Sequence, residues 1–161
     1  MGMQSIKLVR YRSEYLEPML TLHRSAGIGL TIDISQYDEE ADLRAIEQVY
    51  LHNGGEFLIG LLNGTVIAMG GFQRLSEDTA ELRRMRIRKD LQDQGYGSQL
   101  LQALEQMALR SGINKFSFET AKARSLTLEF YRKHGYQETG SGFYHGVETV
   151  HFSKVLDEQV M

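Results

Sequence analysis

Between Glu56 and Ile87 the apolar residues change from helical spacing to a period of about two, first in "EFLIGLLNGTVIAMGGFQRL" and again in "AELRRMRI". That period belongs to strands with one face buried. Asn63-Gly64, in the middle of the first run, favours a tight hairpin turn, and "SEDT" supplies the next one, so consecutive strands are expected here. Whatever flanks this region must pack against the sheet it forms.

The flanks read as alternating elements. "IKLVRY" suits an opening strand, and "SEYLEPMLTLHRSAG" a helix with Leu16, Met19, Leu20 and His23 on one side and its single proline in the first turns, where proline is tolerated. "SQYDEEADLRAIEQVYL" reads as a second helix, with Ser35 or Asp38 as N-cap and Leu43, Ile46, Val49 and Tyr50 on one face. Past the three strands, Leu100, Leu101, Leu104, Met107 and Ala108 form a helical stripe that ends at Gly112. "KFSFET" is strand-like, "SLTLEFYRKH" is a short helix closed by Gly135, and "YQETG" and "VETVHFSKVL" supply two last strands. The order is βααβββαβαββ, a mixed α/β sandwich on one sheet, expected to occupy residues 1–161 as one domain.

Composition removes several functions. The chain has no cysteine, which excludes disulfides, zinc-thiolate sites and an acyl-cysteine intermediate. Its net charge of −3 gives no general pull toward nucleic acid, so no nucleic-acid partner is expected. The opening "MGMQSIKLVRY" lacks the apolar core of a signal peptide, and no apolar run approaches the roughly 18 residues of a membrane span. A cytoplasmic protein without membrane contact is expected. The five histidines show no ligand spacing, so no metal is expected; His134 reads as a helix cap, and Tyr144 and His145 as loop residues within reach of a pocket.

"QDQGYGSQLL" brings two glycines to the mouth of a helix. A helix N-terminus carries unpaired N–H groups and roughly half a positive charge, so a glycine-rich approach to it can hold a phosphate. Taken alone, Gly95 and Gly97 serve equally well to shape a strand-to-helix connection. No lysine follows Gly97, which removes the GxxxxGK(S/T) phosphate loop. Glu119 lies near the distance of a ribose-binding acid, but Leu100 occupies the third glycine position of a dinucleotide fingerprint and "RKDLQDQ" separates Ile87 from Gly95.

Gln92, Gly95 and Gly97 match Q/R-x-x-G-x-G/A opening an amphipathic helix, and "LEFYRKHGY" places Tyr131 before Gly135-Tyr136. In these two ordered motifs, and in its element order, the chain resembles the GNAT superfamily of N-acetyltransferases. It departs from them at Lys89, where a proline is common, and at Arg124, where an asparagine is common. The resemblance implies a mostly antiparallel central sheet with helices on both faces, acetyl-CoA as co-substrate, and a small-molecule or peptide amine as acceptor. It implies that backbone groups at Met85 and Ile87, with Arg86 between them, meet the pantetheine and thioester. The loop N–H groups of Gln94, Gly95, Tyr96, Gly97 and Ser98 then hold the pyrophosphate, with Gln92 and Asp93 also in the cofactor-binding loop and Arg124 available to a CoA phosphate.

A protonated amine needs a base and a departing thiolate needs an acid. Glu81, at the start of the strand before the loop, is the base that the resemblance implies, unless it only pairs with an arginine. Tyr131 is the acid, unless it only packs. Arg83, Arg84, Arg86, Arg88 and Lys89 are too many charges for a buried strand without partners; they either salt-bridge or attract an anion. The acidic "DISQYDEEAD" either stabilises a helix start or suits a cationic acceptor. Exposed closing strands allow a homodimer. A CoA-binding module without turnover, and a dinucleotide-dependent oxidoreductase, are the alternatives.

Overall fold

The structure is a computed structural model and describes residues 6–25, 40–144 and 146–157. Its elements follow the expected order: β1 (Lys7–Arg10), α1 (Leu16–Ser25), α2 (Ile46–Val49), β2 (Glu56–Leu62), β3 (Thr65–Arg74), β4 (Thr79–Ile87), α3 (Tyr96–Arg110), β5 (Lys115–Ala121), α4 (Ser125–Lys133), β6 (Gln137–Tyr144) and β7 (Val147–Val155). The seven strands form one sheet in the order β1-β2-β3-β4-β5-β7-β6. All neighbours are antiparallel except β4 and β5. No described helix is long and apolar enough to cross a membrane.

Helices cover both faces. On one, Leu100, Leu101 and Leu104 of α3 and Leu128 and Tyr131 of α4 bury against Phe72, Phe116 and Phe152. On the other, Met19 and Leu20 of α1, with Leu43, Ile46 and Tyr50, bury against Phe57, Ile59 and Met69. The hairpin between β2 and β3 turns at Asn63 and Gly64, with φ of 51° and 79°, the paired left-handed residues of the turn that matches strand twist.

The second expected helix is shorter than its sequence suggests. Ser35 and Asp38 lie outside the described residues; from Leu43 on, a 3-10 turn (Leu43–Ala45), the single turn of α2 and another 3-10 turn (Leu51–Asn53) replace a continuous helix. The apolar face survives, since Leu43, Ile46 and Tyr50 are all buried. Packing against the sheet holds the segment, and Gly54 ends it at φ 83°.

β4 contains an irregularity that sequence alternation conceals. Ala80, Leu82, Met85 and Ile87 all face the α3 core, yet Leu82 and Met85 are an odd number of residues apart. A bulge reconciles them: Arg83 pairs with Gly71 and Arg86 with Met69, so Arg84 and Met85 together stand opposite Gly70. Arg84 takes up the extra residue at φ 59°. It is 1% exposed, and its guanidinium meets the Asp42 carboxylate at 2.6 and 3.1 Å. A pair this deep leaves a buried charge if one partner is truncated, at a cost of roughly 3–5 kcal/mol.

Close strand packing beside the bulge yields a stability prediction. A Cβ on Gly71 would sit 2.4 Å from the Glu56 carbonyl oxygen and 2.6 Å from Phe57 Cδ2. Because one obstacle is backbone, Gly71→Ala is expected to lose about 1–3 kcal/mol, read as a lower urea midpoint at unchanged m-value.

Candidate active site

The ladder between β4 and β5 has three pairs, Thr79↔Lys115, Ala80↔Phe116 and Glu81↔Ser117. β4 then runs on to Ile87 without a β5 partner. Where the strands part, a cleft of about 410 Å³ opens. One wall comes from Arg86 and Ile87 and from the loop and helix start at Gln92, Asp93, Gly95, Gly97 and Ser98; the other comes from Arg124, Thr127, Phe130, Lys133 and His134.

The loop is shaped by its dihedrals. Asp93 and Gly95 have φ of 64° and 89°, and Gly95 stands at the N-cap of α3 with no side-chain cap and no acid in the first turn. Most helices soften their positive end with one or the other. Here that end faces the cleft with its electrostatic character intact. Gly97 has ordinary space around it: an added Cβ would lie 3.5 Å from the Phe130 ring.

Gln92 lines the cleft, but its side chain turns inward and donates from Nε2 to the Ile87 carbonyl at 3.1 Å. It is a brace between loop and strand end, which also takes up one acceptor site of the Ile87 backbone. Met85 and Tyr96 are 0% and 3% exposed with their side chains in the core, so backbone is all that either offers a ligand. Gln94 is exposed and does not line the cleft.

The profile of the acetyltransferase (GNAT) family matches residues 18–136. The chain belongs to the GNAT family. Solved structures agree in fold. A GNAT-family acetyltransferase from Staphylococcus aureus superposes with a TM-score of 0.79 at 20% identity, covering 95% of this chain and 100% of its own. A PaiA N-acetyltransferase from Thermoplasma acidophilum in complex with coenzyme A gives 0.70 at 20% identity over 94% and 99% of the two chains. A phosphinothricin acetyltransferase from Sinorhizobium meliloti in complex with AcCoA gives 0.77 at 18% over 95% and 89%.

Within this GNAT chain the two residues expected to move protons lie apart from the cleft lining. Tyr131 is fully buried in an aromatic box, its ring centroid 4.3 Å from Phe118, 5.1 Å from Phe130 and 5.5 Å from Tyr136. Its neighbours on α4, Thr127 and Phe130, do reach the cleft. Glu81 sits where β4 still pairs with β5, on the α1–α2 face, its carboxylate 31% exposed and 3.9 Å from Arg83 Nε. Met85 is four positions further on, about 13 Å along an extended strand.

At the charge-rich strand end, Arg83, Arg84 and Arg88 are partnered. Arg83 donates to Gln73 Oε1 at 2.8 Å and lies over the Tyr50 ring, Arg84 meets Asp42, and Arg88 grips Asp90 at 2.7 and 3.1 Å. The Arg88 hydrogen bond, with the attraction of its charge, lowers the Asp90 carboxyl below its ordinary range. Of the acidic run, residues 33–39 lie outside the described residues, as does His145. His134 caps α4, its Nδ1–H donating to the Phe130 carbonyl at 2.8 Å. Among the described residues no group of three His, Cys, Asp or Glu could hold a metal ion.

Apart from Arg124, the sequence reading missed the far wall. Thr127, Phe130 and Lys133 recur at three-residue spacing and so share one face of α4. That spacing was available, but an aromatic next to a tyrosine looks like core until the opposite loop is in place.

Proposed function

We propose that the protein transfers the acetyl group of acetyl-CoA to a primary amine by direct attack in a ternary complex. The observation that carries this reading is the uncapped start of α3, turned by Gly95 into a cleft that opens where β4 leaves β5. The S. meliloti and T. acidophilum relatives bind AcCoA and coenzyme A on the same fold, which supports the same ligand here.

In this reading the N–H groups from Gln94 to Ser98 hold the pyrophosphate, and Arg124 and the exposed Lys133 meet phosphate charge from the opposite wall. Backbone of the Met85–Ile87 stretch meets the pantetheine and the thioester carbonyl. The amine nitrogen attacks that carbonyl, a C–N bond forms and the C–S bond breaks; the amine gives up a proton and the CoA sulfur gains one. A backbone donor aimed at the developing oxyanion lowers such a barrier by roughly 3–4 kcal/mol. Tyr131 supplies the proton to sulfur, and Glu81, too far for contact, receives the amine proton through water.

Thermal unfolding with CoA, acetyl-CoA and NAD tests the ligand. At 100 times its dissociation constant a ligand stabilises by about 2.7 kcal/mol, a rise of roughly 5–10 °C in Tm for a chain of this size. A rise with CoA and acetyl-CoA, followed by turnover on a panel of a polyamine, free lysine, an aminoglycoside and peptides with free N-termini, is the expected result. Binding without turnover on any of them would make the chain a CoA-binding module, and a rise with NAD alone would overturn both readings. Glu81→Gln is expected to lower kcat/KM by about 10²-fold below the pKa of the amine. An unchanged rate profile from pH 6 to 9 would assign deprotonation elsewhere.

A further inference from the structure

Arg84 takes no part in the chemistry above, yet it is fully buried and holds a backbone conformation that side chains avoid. Such a conformation persists where the surroundings over-determine it. The Asp42 carboxylate does this here, taking Nη2 at 2.6 Å and Nε at 3.1 Å. A guanidinium gripped at two atoms is fixed in orientation as well as position. The same carboxylate accepts the Tyr50 hydroxyl at 2.7 Å, and Tyr50 is itself immobilised against Phe57, ring centroids 5.1 Å apart.

Both partners come from the segment on the α1–α2 face, while Arg84 belongs to the strand end that has left β5. Many bulges place a glycine at the left-handed position, where it needs no support. This one places an arginine there and supports it from the segment packed on that face. The consequence follows from strand parity. If Arg84 relaxed to ordinary strand geometry, the bulge would flatten and every later residue would exchange faces, Met85 leaving the α3 core for the α1–α2 side. The N–H and C=O groups facing the splay would exchange as well.

We propose that Asp42 and Tyr50 are positioning residues for acetyl transfer: through Arg84 they hold the β4 bulge, and the bulge sets which backbone groups of Met85 and Arg86 meet the acyl group. This rests on the acetyl-transfer reading above. It assigns the segment on the α1–α2 face a role in aligning the thioester. Formation of the Asp42–Arg84 pair and assembly of the acyl site then become one event.

The test compares Asp42→Asn, Tyr50→Phe and the double variant Asp42→Asn/Arg84→Gly with wild type. The readouts are steady-state kinetics on the fastest amine of the panel, the thermal shift with CoA, and hydrogen exchange of the Met85 and Arg86 amides. Asp42→Asn should lower kcat at least tenfold with the KM for acetyl-CoA within twofold, keep the CoA shift, and speed exchange at both amides at least tenfold. Tyr50→Phe should move kcat and exchange the same way by a smaller factor. Glycine holds φ 59° unaided, so the double variant should recover at least fivefold in kcat over Asp42→Asn alone, a rescue that lost packing could not produce.

A double variant as slow as Asp42→Asn, or an Asp42→Asn with unchanged kcat and exchange, would overturn the proposal. Should Asp42→Asn fail to fold, Tyr50→Phe decides it, unchanged kcat and exchange counting against. A wild type that acetylates no amine would instead sink the acetyl-transfer reading. The exchange rates would then judge the Asp42–Arg84 lock by themselves, accelerated exchange supporting it and unchanged exchange ending it.

Discussion

Gly97→Glu is expected to abolish the thermal shift with CoA while leaving the protein folded. Gly97 lies in the first turn of α3 at an ordinary helical φ, and a Cβ there meets the Phe130 ring at 3.5 Å, a normal contact. The backbone therefore has no objection to a side chain. A glutamate would enter the cleft and set its carboxylate among the N–H groups that open the helix, where a negative charge favours the helix. The same placement opposes a pyrophosphate. Two unit charges 4 Å apart interact by about 4 kcal/mol at an effective dielectric of 20, roughly a thousandfold in affinity. Titration of CoA into the variant, with circular dichroism to confirm folding, separates the two effects. An affinity within threefold of wild type would show that the phosphates lie elsewhere.

The second large effect is expected from Tyr131→Phe. The ring sits among Phe118, Phe130, Tyr136 and Phe152, and phenylalanine preserves each of those contacts. Loss of one hydrogen-bonding group costs about 1 kcal/mol, a change of about 2–4 °C in Tm. Removing a general acid costs typically 10²–10⁴-fold in rate. The variant should thus lose about 10²-fold or more in kcat, with the KM for acetyl-CoA near wild type and the CoA shift intact. A kcat within threefold would leave Tyr131 as the centre of an aromatic core and require another proton donor.

The turns were legible because their signals are local. Gly95 and Gly97 announce a turn at a helix start, and Asn63-Gly64 announces a hairpin with both residues left-handed, since few other residues tolerate those dihedrals. Alternation between Glu56 and Ile87 likewise revealed three strands. What stayed hidden depends on residues far apart in the chain. Nothing near Arg84 signals a bulge, because the reason for it is Asp42, 42 positions earlier. Gln92 fits a ligand-binding pattern, yet its amide finds a closer partner in the Ile87 carbonyl. The length of α2 was overread for a related reason: apolar spacing records which side chains face the sheet, and successive 3-10 and α turns present the same face as one helix.

The parallel junction of β4 and β5 also bears on where the positive end of α3 comes to lie. Parallel neighbours oblige the chain to travel back before the second strand can begin, and here α3 makes that return. A returning helix starts beside the carboxyl end of the strand it follows, so its positive pole arrives at the gap by direction of travel alone. The route of the chain delivers the field, and the first turn of α3, which holds no acid, leaves it unopposed.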